Sequence, residues 1–309
     1  MAYWNEIDDE TKEEGIPQIF LSKTFVLDGE KIDNPLHSYK FPGMVADNVQ
    51  VLDQNNNPAD YTKPKGYVTV RYPYSGLVGP NDKAKTKEHN DRVDALGDPD
   101  GMLNKNVKDW LNEGFKIGDK FKNTNTRQKF HDCLNAPNYT VFSNTSSAAQ
   151  WNQDNNDTEH EVAPKLVIPI ESPHNDIHLA IGGFDIPGVS NADQYAGANG
   201  DMGENDTASF DPIFFFHHCF IDKVFWTWQV YKNSTDKLEI IPEYPGTNSV
   251  DAQGPTPGVA GNIWLTTESP LNPFDITDSK TNTKRPMTSN VCISQNHFLR
   301  PNAERLTKM

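Results

Sequence analysis

Cysteine is nearly absent from this chain, with three residues in 309, Cys133, Cys219 and Cys292, each far from the others. That scarcity excludes a disulfide framework and a thiolate metal site, and it points to a reducing compartment. Positive charge is also short. With 28 Lys and Arg against 43 Asp and Glu the formal net charge is −15, which argues against nucleic acid and anionic membrane as partners, since both attract basic surfaces. No apolar run approaches the roughly 18 residues of a membrane span. The opening Met1-Ala-Tyr-Trp-Asn-Glu-Ile-Asp-Asp-Glu10 has neither the basic nor the apolar region of a signal peptide. A cytoplasmic or otherwise intracellular acidic protein is the resulting expectation. Apolar residues are sparse too, 35 % before the 20 Gly are added, and a total below the roughly 45–50 % of an average domain predicts long irregular loops or a missing piece of core.

Residues 1–101 are dense in Pro, Gly, Asn and Asp, with short apolar runs such as Ile19-Phe-Leu21 and Tyr67-Val-Thr-Val-Arg71. Such a segment reads as loops with a few short strands, and regular helix is expected only after it. Apolar positions at helical spacing predict helices over about 102–122 and 126–135. The polar stretch Trp151–His160 reads as a solvated loop, with His160 on its surface. Ser172-Pro173 is a start signal and Gly182-Gly183 a stop, bracketing a short helix. Asp211-Pro212 opens another in the same way, and Phe214, Phe215, Phe216, Phe220, Ile221, Val224, Phe225, Trp226 and Trp228 around it predict burial on most faces. Beyond about 237 the Pro and Gly content predicts extended or turn-like backbone. The fold class is mainly α with long irregular loops and a few short strands, read as three segments of one domain, 1–101, 102–236 and 237–309.

The chemistry concentrates on the two bracketed helices. His174 and His178 stand at i and i+4, so their imidazoles leave one helix face together and can share a metal. The second helix carries the adjacent pair His217-His218, which serves either as a source of a third ligand or as two satisfied core histidines. A zinc protease with this spacing has Glu directly after the first histidine as general base; here that position is Asn175. Three neutral imidazoles without an acidic ligand suit copper and allow zinc.

The blocks His174-Asn-Asp-Ile-His-Leu-Ala-Ile-Gly-Gly183, Met202-Gly203 and Phe210-Asp-Pro-Ile-Phe-Phe-Phe-His-His-Cys-Phe-Ile-Asp222, followed by Trp226 and Trp228-Gln229, resemble the tyrosinases and polyphenol oxidases, the fungal tyrosinases most of all. Asn34-Pro-Leu-His-Ser-Tyr-Lys-Phe-Pro42, Leu238–Gly246 and Gly254-Pro-Thr-Pro-Gly258 extend the resemblance over most of the chain. It implies a type-3 copper helical bundle, phenolic substrates, dioxygen, and a part in melanin biosynthesis. The reactions implied are ortho-hydroxylation of monophenols and oxidation of o-diphenols to o-quinones. It further implies His174, His178 and His218 as the ligands of the second copper, copper B, with His217 a neighbour making its own hydrogen bonds. Asp222, one turn after His218, would orient a ligand helix or ring, and Phe214, one turn before it, would pack on the ligand imidazole. Glu171 and Asn175 match the pair that holds a water helping to deprotonate an incoming phenol.

Two features depart from the family pattern. The family uses two coppers and six histidines, and its copper-A ligands precede a Tyr-Trp-Asp-Trp-like segment that Met1-Ala-Tyr-Trp-Asn-Glu6 resembles. His37 stands where the family usually has an aromatic, and His89, His131, His160 and His297 lack ligand spacing, so one copper site is visible and a partial bundle is expected, the copper-B helix pair without the copper-A helices. Val291–Leu299 lacks the family's tyrosine-rich close, so both ends read as truncated. A half bundle exposes an apolar face and predicts marginal stability or self-association. Three readings stay open: a tyrosinase-type oxidase, a non-catalytic copper-B half-domain binding one copper or zinc, and a mononuclear metal enzyme using the same histidines.

Overall fold

The computed structural model describes residues 2–46, 51–52, 58–155, 166–251, 254–256, 258–277 and 284–288. The described residues within Met1–Phe130 and Pro173–Lys223 form one compact unit, and those within His131–Ser172 and Val224–Met309 form a second. Among the described residues helices dominate, and the strands are short antiparallel pairs.

The first hundred residues are less irregular than their composition predicts. Helices α1 (Asp9–Glu14) and α2 (Gln18–Leu21) are followed by the hairpin β1 (Thr24–Leu27) with β2 (Glu30–Asp33) and the short pair β3 (Val51–Leu52) with β4 (Pro58–Ala59). Then comes α3, a full 14-residue helix over Lys83–Leu96. Its inward positions are Thr86, His89 and Val93, spaced three and four apart as a helix face requires. Two of the three are polar, so no apolar stripe marks the helix in the sequence. His89 is satisfied within the core, its Nε2 lying 2.8 Å from the Pro73 carbonyl.

Helix α4 (Pro99–Leu111) begins with Pro at its first turn and the Asp98 carboxylate accepting the Gly101 N–H, and it buries Leu103, Val107, Trp110 and Leu111 on one face. It stops eleven residues short of the expected helix over 102–122. Gly114 at φ +116° and Gly118 at φ +58° turn the chain instead into the hairpin β5 (Gly114–Ile117) with β6 (Lys120–Asn123). Helix α5 (Thr126–Cys133) agrees with the sequence reading. Its first turn is fastened to Asp176, whose carboxylate accepts from Thr126 Oγ1 at 2.9 Å and Lys129 Nζ at 2.7 Å.

In the second unit α6 (Tyr139–Ser143) and α7 (Thr145–Asp154) are capped by the Asn138 and Asn144 side chains, which accept from Val141 and Ser147 N–H. Helix α7 runs through Trp151–Asp154, so the start of the expected loop at 151–160 is helical; His160 lies outside the described residues. Phe142 stacks on Trp228 at 4.6 Å, and the Trp228 indole donates to the Ala136 carbonyl. After residue 237 the backbone is extended or turned, as expected, with β7 (Val250–Asp251) paired to β8 (Gly254–Pro255) and β9 (Pro270–Thr277) to β10 (Lys284–Thr288).

The two helices bracketed in the sequence are α8 (Glu171–Gly182) and α9 (Ile213–Tyr231). Along α9, Phe220 and Trp228 are buried, but Phe215 is 58 % exposed and Tyr231 66 %. Phe214, Phe216, Ile221, Val224, Phe225 and Trp226 are buried or half-buried, so the expectation of burial on most faces holds apart from Phe215 and the C-terminal turn. Cys133 and Cys219 form no disulfide among the described residues. Among the described residues no helix is long and apolar enough to cross a membrane.

Candidate metal centre

Each histidine-bearing helix is held at one end, α8 at its C-terminus and α9 at its start. The last four carbonyls of α8 each find a donor: Gly183 N–H for Leu179, the Asn106 amide for Ala180, Tyr72 N–H for Ile181 and Gly200 N–H for Gly182. At the start of α9 the Asp211 carboxylate accepts the Ile213 N–H at 3.1 Å. The same carboxylate takes two parallel hydrogen bonds from Arg71, Nε at 2.8 Å and Nη2 at 2.6 Å, in a buried fork. Arg71 also donates to the Phe20 and Leu36 carbonyls, so its charge is fully partnered.

These helices bring His174, His178, His217 and His218 together, with one nitrogen of each inside a group spanning no more than 4.8 Å. His178 Nε2 lies 3.2 Å from His218 Nε2, and His174 Nε2 lies 3.4 Å from the same atom. On its other side His178 Nδ1 lies 2.8 Å from the Met202 carbonyl. A carbonyl oxygen only accepts, so Nδ1 carries the proton and Nε2 keeps its lone pair for the centre of the group. His174 Nδ1 lies 2.8 Å from Asn175 Oδ1, an arrangement of the same sense. Burial lowers the pKa of His178 to about 4, with His174 and His218 adding to the effect, and that of His218 to about 4, with His174 adding. Both rings are neutral near pH 7, the form that ligates metal.

A metal fits this arrangement. An imidazole–metal bond of about 2.0–2.1 Å in tetrahedral geometry sets ligand nitrogens roughly 3.3–3.4 Å apart, and the observed separations of 3.2 and 3.4 Å agree. With two lone pairs already pointing inward, one hydrogen on His218 could satisfy the three nitrogens only in part. The all-nitrogen donor set suits copper or zinc and not magnesium or calcium.

His217 is held differently. It is completely buried, and its Nδ1 is 2.6 Å from Glu6 Oε1, also completely buried. Its Nε2 has no hydrogen-bond partner among the described residues. Burial drives the imidazole well below its usual pKa and the Glu6 carboxyl well above its own. The expected private hydrogen bond of His217 is present, and its partner comes from the first six residues.

The chain matches the family described as the common central domain of tyrosinase over residues 1–231. It belongs to the tyrosinase family. It is 51 % identical over 303 residues to a tyrosinase of Aspergillus oryzae, covering 93 % of this chain and 54 % of that one. Tyrosinase HcTyr2 of a Hahella species is 48 % identical over 302 residues, covering 95 % and 52 %. Among solved structures the tyrosinase from Burkholderia thailandensis at low pH superposes with a TM-score of 0.77 at 46 % identity, over 98 % of this chain and 55 % of that one. The chain thus spans about half the length of the tyrosinases it matches.

The other residues singled out in the sequence fall in varied places. Phe214 stacks on the His218 ring, centroids 3.9 Å apart, and meets His178 edge-on. Asp222 is exposed one turn after His218, and among the described residues its carboxylate bonds no imidazole. Asn175 is exposed, while the Glu171 carboxylate accepts the Thr145 N–H at 2.6 Å. His37 is half-buried beside Ser38, and His131 is exposed; His297 lies outside the described residues. Among the described residues the four histidines are the one group able to hold a metal. Two contributors escaped the sequence reading, Glu6 and the backbone carbonyl of Met202. The Met202-Gly203 match to the family was the signal for the second; nothing in the spacing marks Glu6.

Proposed function

We propose that this chain carries the copper-B half of a tyrosinase-type centre, with His174, His178 and His218 as ligands. The observation behind this reading is the convergence of three Nε2 atoms at metal-ligand spacing, one of them with its proton assigned to the far nitrogen. Copper bound there would supply the redox chemistry with dioxygen by which tyrosinases hydroxylate monophenols and oxidise o-diphenols to o-quinones. The chain's own residues do the rest. The Met202 carbonyl holds the His178 ring, and Phe214 fixes the plane of His218 and walls its face from water. Glu171 and Asn175, one turn apart on α8, hold the water that takes the phenol proton. His217 is left outside the ligand set because the resemblance to the family assigns the ligand role to the second histidine of the adjacent pair, His218, while His217 Nδ1 pairs with Glu6.

A second reading has its own support. The four histidines are the single metal-capable group among the described residues, which favours a copper-B half-domain that binds one copper or zinc without oxygen chemistry. Self-association through the apolar side of α9 that exposes Phe215 accompanies it. Metal content after copper loading, combined with quinone formation from an o-diphenol, separates the two. Two coppers per chain and quinone production lost in His218→Ala carry the oxidase reading. One metal per chain and no quinone carry the half-domain, and failure of the wild type to bind copper or zinc overturns both.

A further inference from the structure

The turn that supplies the Met202 carbonyl, a single 3₁₀ turn over Asp201–Gly203, is anchored by a buried polar cluster outside the histidine group. Asp201 is 1 % exposed. Its Oδ2 accepts the Tyr67 hydroxyl at 2.6 Å and the Val70 N–H at 2.8 Å, and Lys63 Nζ lies 3.3 Å from Oδ1. Lys63, equally buried, also donates to the Gly76 carbonyl and sits 4.7 Å over the Tyr67 ring. The main chain of Asp201 is tied at both ends, its N–H donating to Val70 O and its carbonyl accepting Thr207 Oγ1.

We infer that Asp201, with Tyr67 and Lys63, is a positioning residue for His178. A neutral imidazole exchanges readily between its two tautomers, and only an acceptor held at Nδ1 keeps the Nε2 lone pair turned to a metal. The acceptor here is a main-chain carbonyl, so its position depends on the turn and the turn depends on Asp201. Burying Lys63 and Asp201 carries a desolvation cost that apolar residues of the same volume would avoid. What the polar trio provides in return is one geometry, set by directed bonds between the 63–70 segment and the turn. The turn also packs backbone to backbone against the end of α8: a Cβ on Gly182 would lie 1.9 Å from Gly203 N. A shift of the turn is therefore a shift of the surface on which the His178 helix rests.

The inference rests on His178 being a ligand, and its test has a metal-free arm. In the full chain labelled with 15N, long-range proton–nitrogen spectra read the His178 tautomer directly. Wild type and Val93→Ala, a buried substitution on α3 that lowers stability elsewhere, keep the Nδ1–H form. Asp201→Asn and Tyr67→Phe give a mixture of tautomers, and their Cu(II) affinity falls about 10- to 100-fold, the usual effect of removing an outer partner of a metal ligand. An unchanged tautomer in folded Tyr67→Phe, which lacks a single hydroxyl and decides alone should Asp201→Asn not fold, overturns the inference. A wild type with the Nδ1–H tautomer that binds no copper would instead overturn the functional reading and leave the positioning role standing.

Discussion

Glu6 and His217 are 211 positions apart in the chain and 2.6 Å apart in space, carboxyl Oε1 against imidazole Nδ1, with neither side chain reached by solvent. One hydrogen bond thus ties the first residues of the chain to the second turn of α9. Glu6→Leu leaves Nδ1 buried without a partner, which costs about 1–3 kcal/mol. Glu6→Gln keeps a partner and costs less. The midpoint of urea unfolding measures the difference, and equal losses for the two variants would mean that the carboxyl acts by filling space alone.

The fork between Arg71 and Asp211 fixes the start of α9. Asp211→Ala strands a guanidinium that is 8 % exposed, and removing one partner of a buried pair costs about 3–5 kcal/mol. The double variant Arg71→Met with Asp211→Ala recovers part of the loss, because no unpaired charge remains. A double-mutant cycle on chemical unfolding gives the coupling, and strictly additive losses would contradict the pairing.

Gly203 sits where two stretches of backbone touch. A Cβ there would come 2.0 Å from the Gly183 carbonyl oxygen, and backbone cannot yield as a flexible side chain does. Gly203→Ala should lower stability by about 1–3 kcal/mol or more, in the range of overpacked sites, and weaken copper binding with it. Gly43→Ala, where a Cβ meets nothing within 4 Å, serves as the neutral comparison.

Asp193 predicts a pH dependence remote from the histidines. Burial raises its carboxyl pKa from 3.8 to about 7, against the pull of the Gln194 N–H and with repulsion from Asp185. A folded pKa above the unfolded one means that the folded state holds the proton more tightly. The stabilisation is therefore full below pH 3.8 and is lost as pH rises through about 7. Asp193→Asn removes this dependence, so the variant gains on wild type as pH rises from 4 to 8. Parallel stability profiles for the two proteins would exclude the shift.

The histidine spacing, the start and stop of α8 and the opening of α9 were legible because they are local: four residues of separation set a helix face, and Ser-Pro, Gly-Gly and Asp-Pro punctuate backbone wherever they occur. Helix α3 was not legible, because its inward positions are Thr86 and His89 beside a single Val93, and polar residues that find partners in a core leave no apolar period. The segment after Leu111 misled for the opposite reason. Phe115 and Ile117 fit a helical stripe as readily as the alternation of a hairpin, and Gly114 with Gly118 decided for the hairpin.

From the chain alone came the donor type, the spacing and the family: three imidazoles on two helices and a tyrosinase pattern around them. Tertiary structure alone decided which nitrogen of His178 faces the centre, that His217 is committed to Glu6, and that Asp201 holds the turn between them. The physical reason is reach. Periodicity and capping act over a few residues and are written into consecutive letters, whereas a proton's place on a buried ring depends on an acceptor tens or hundreds of positions away.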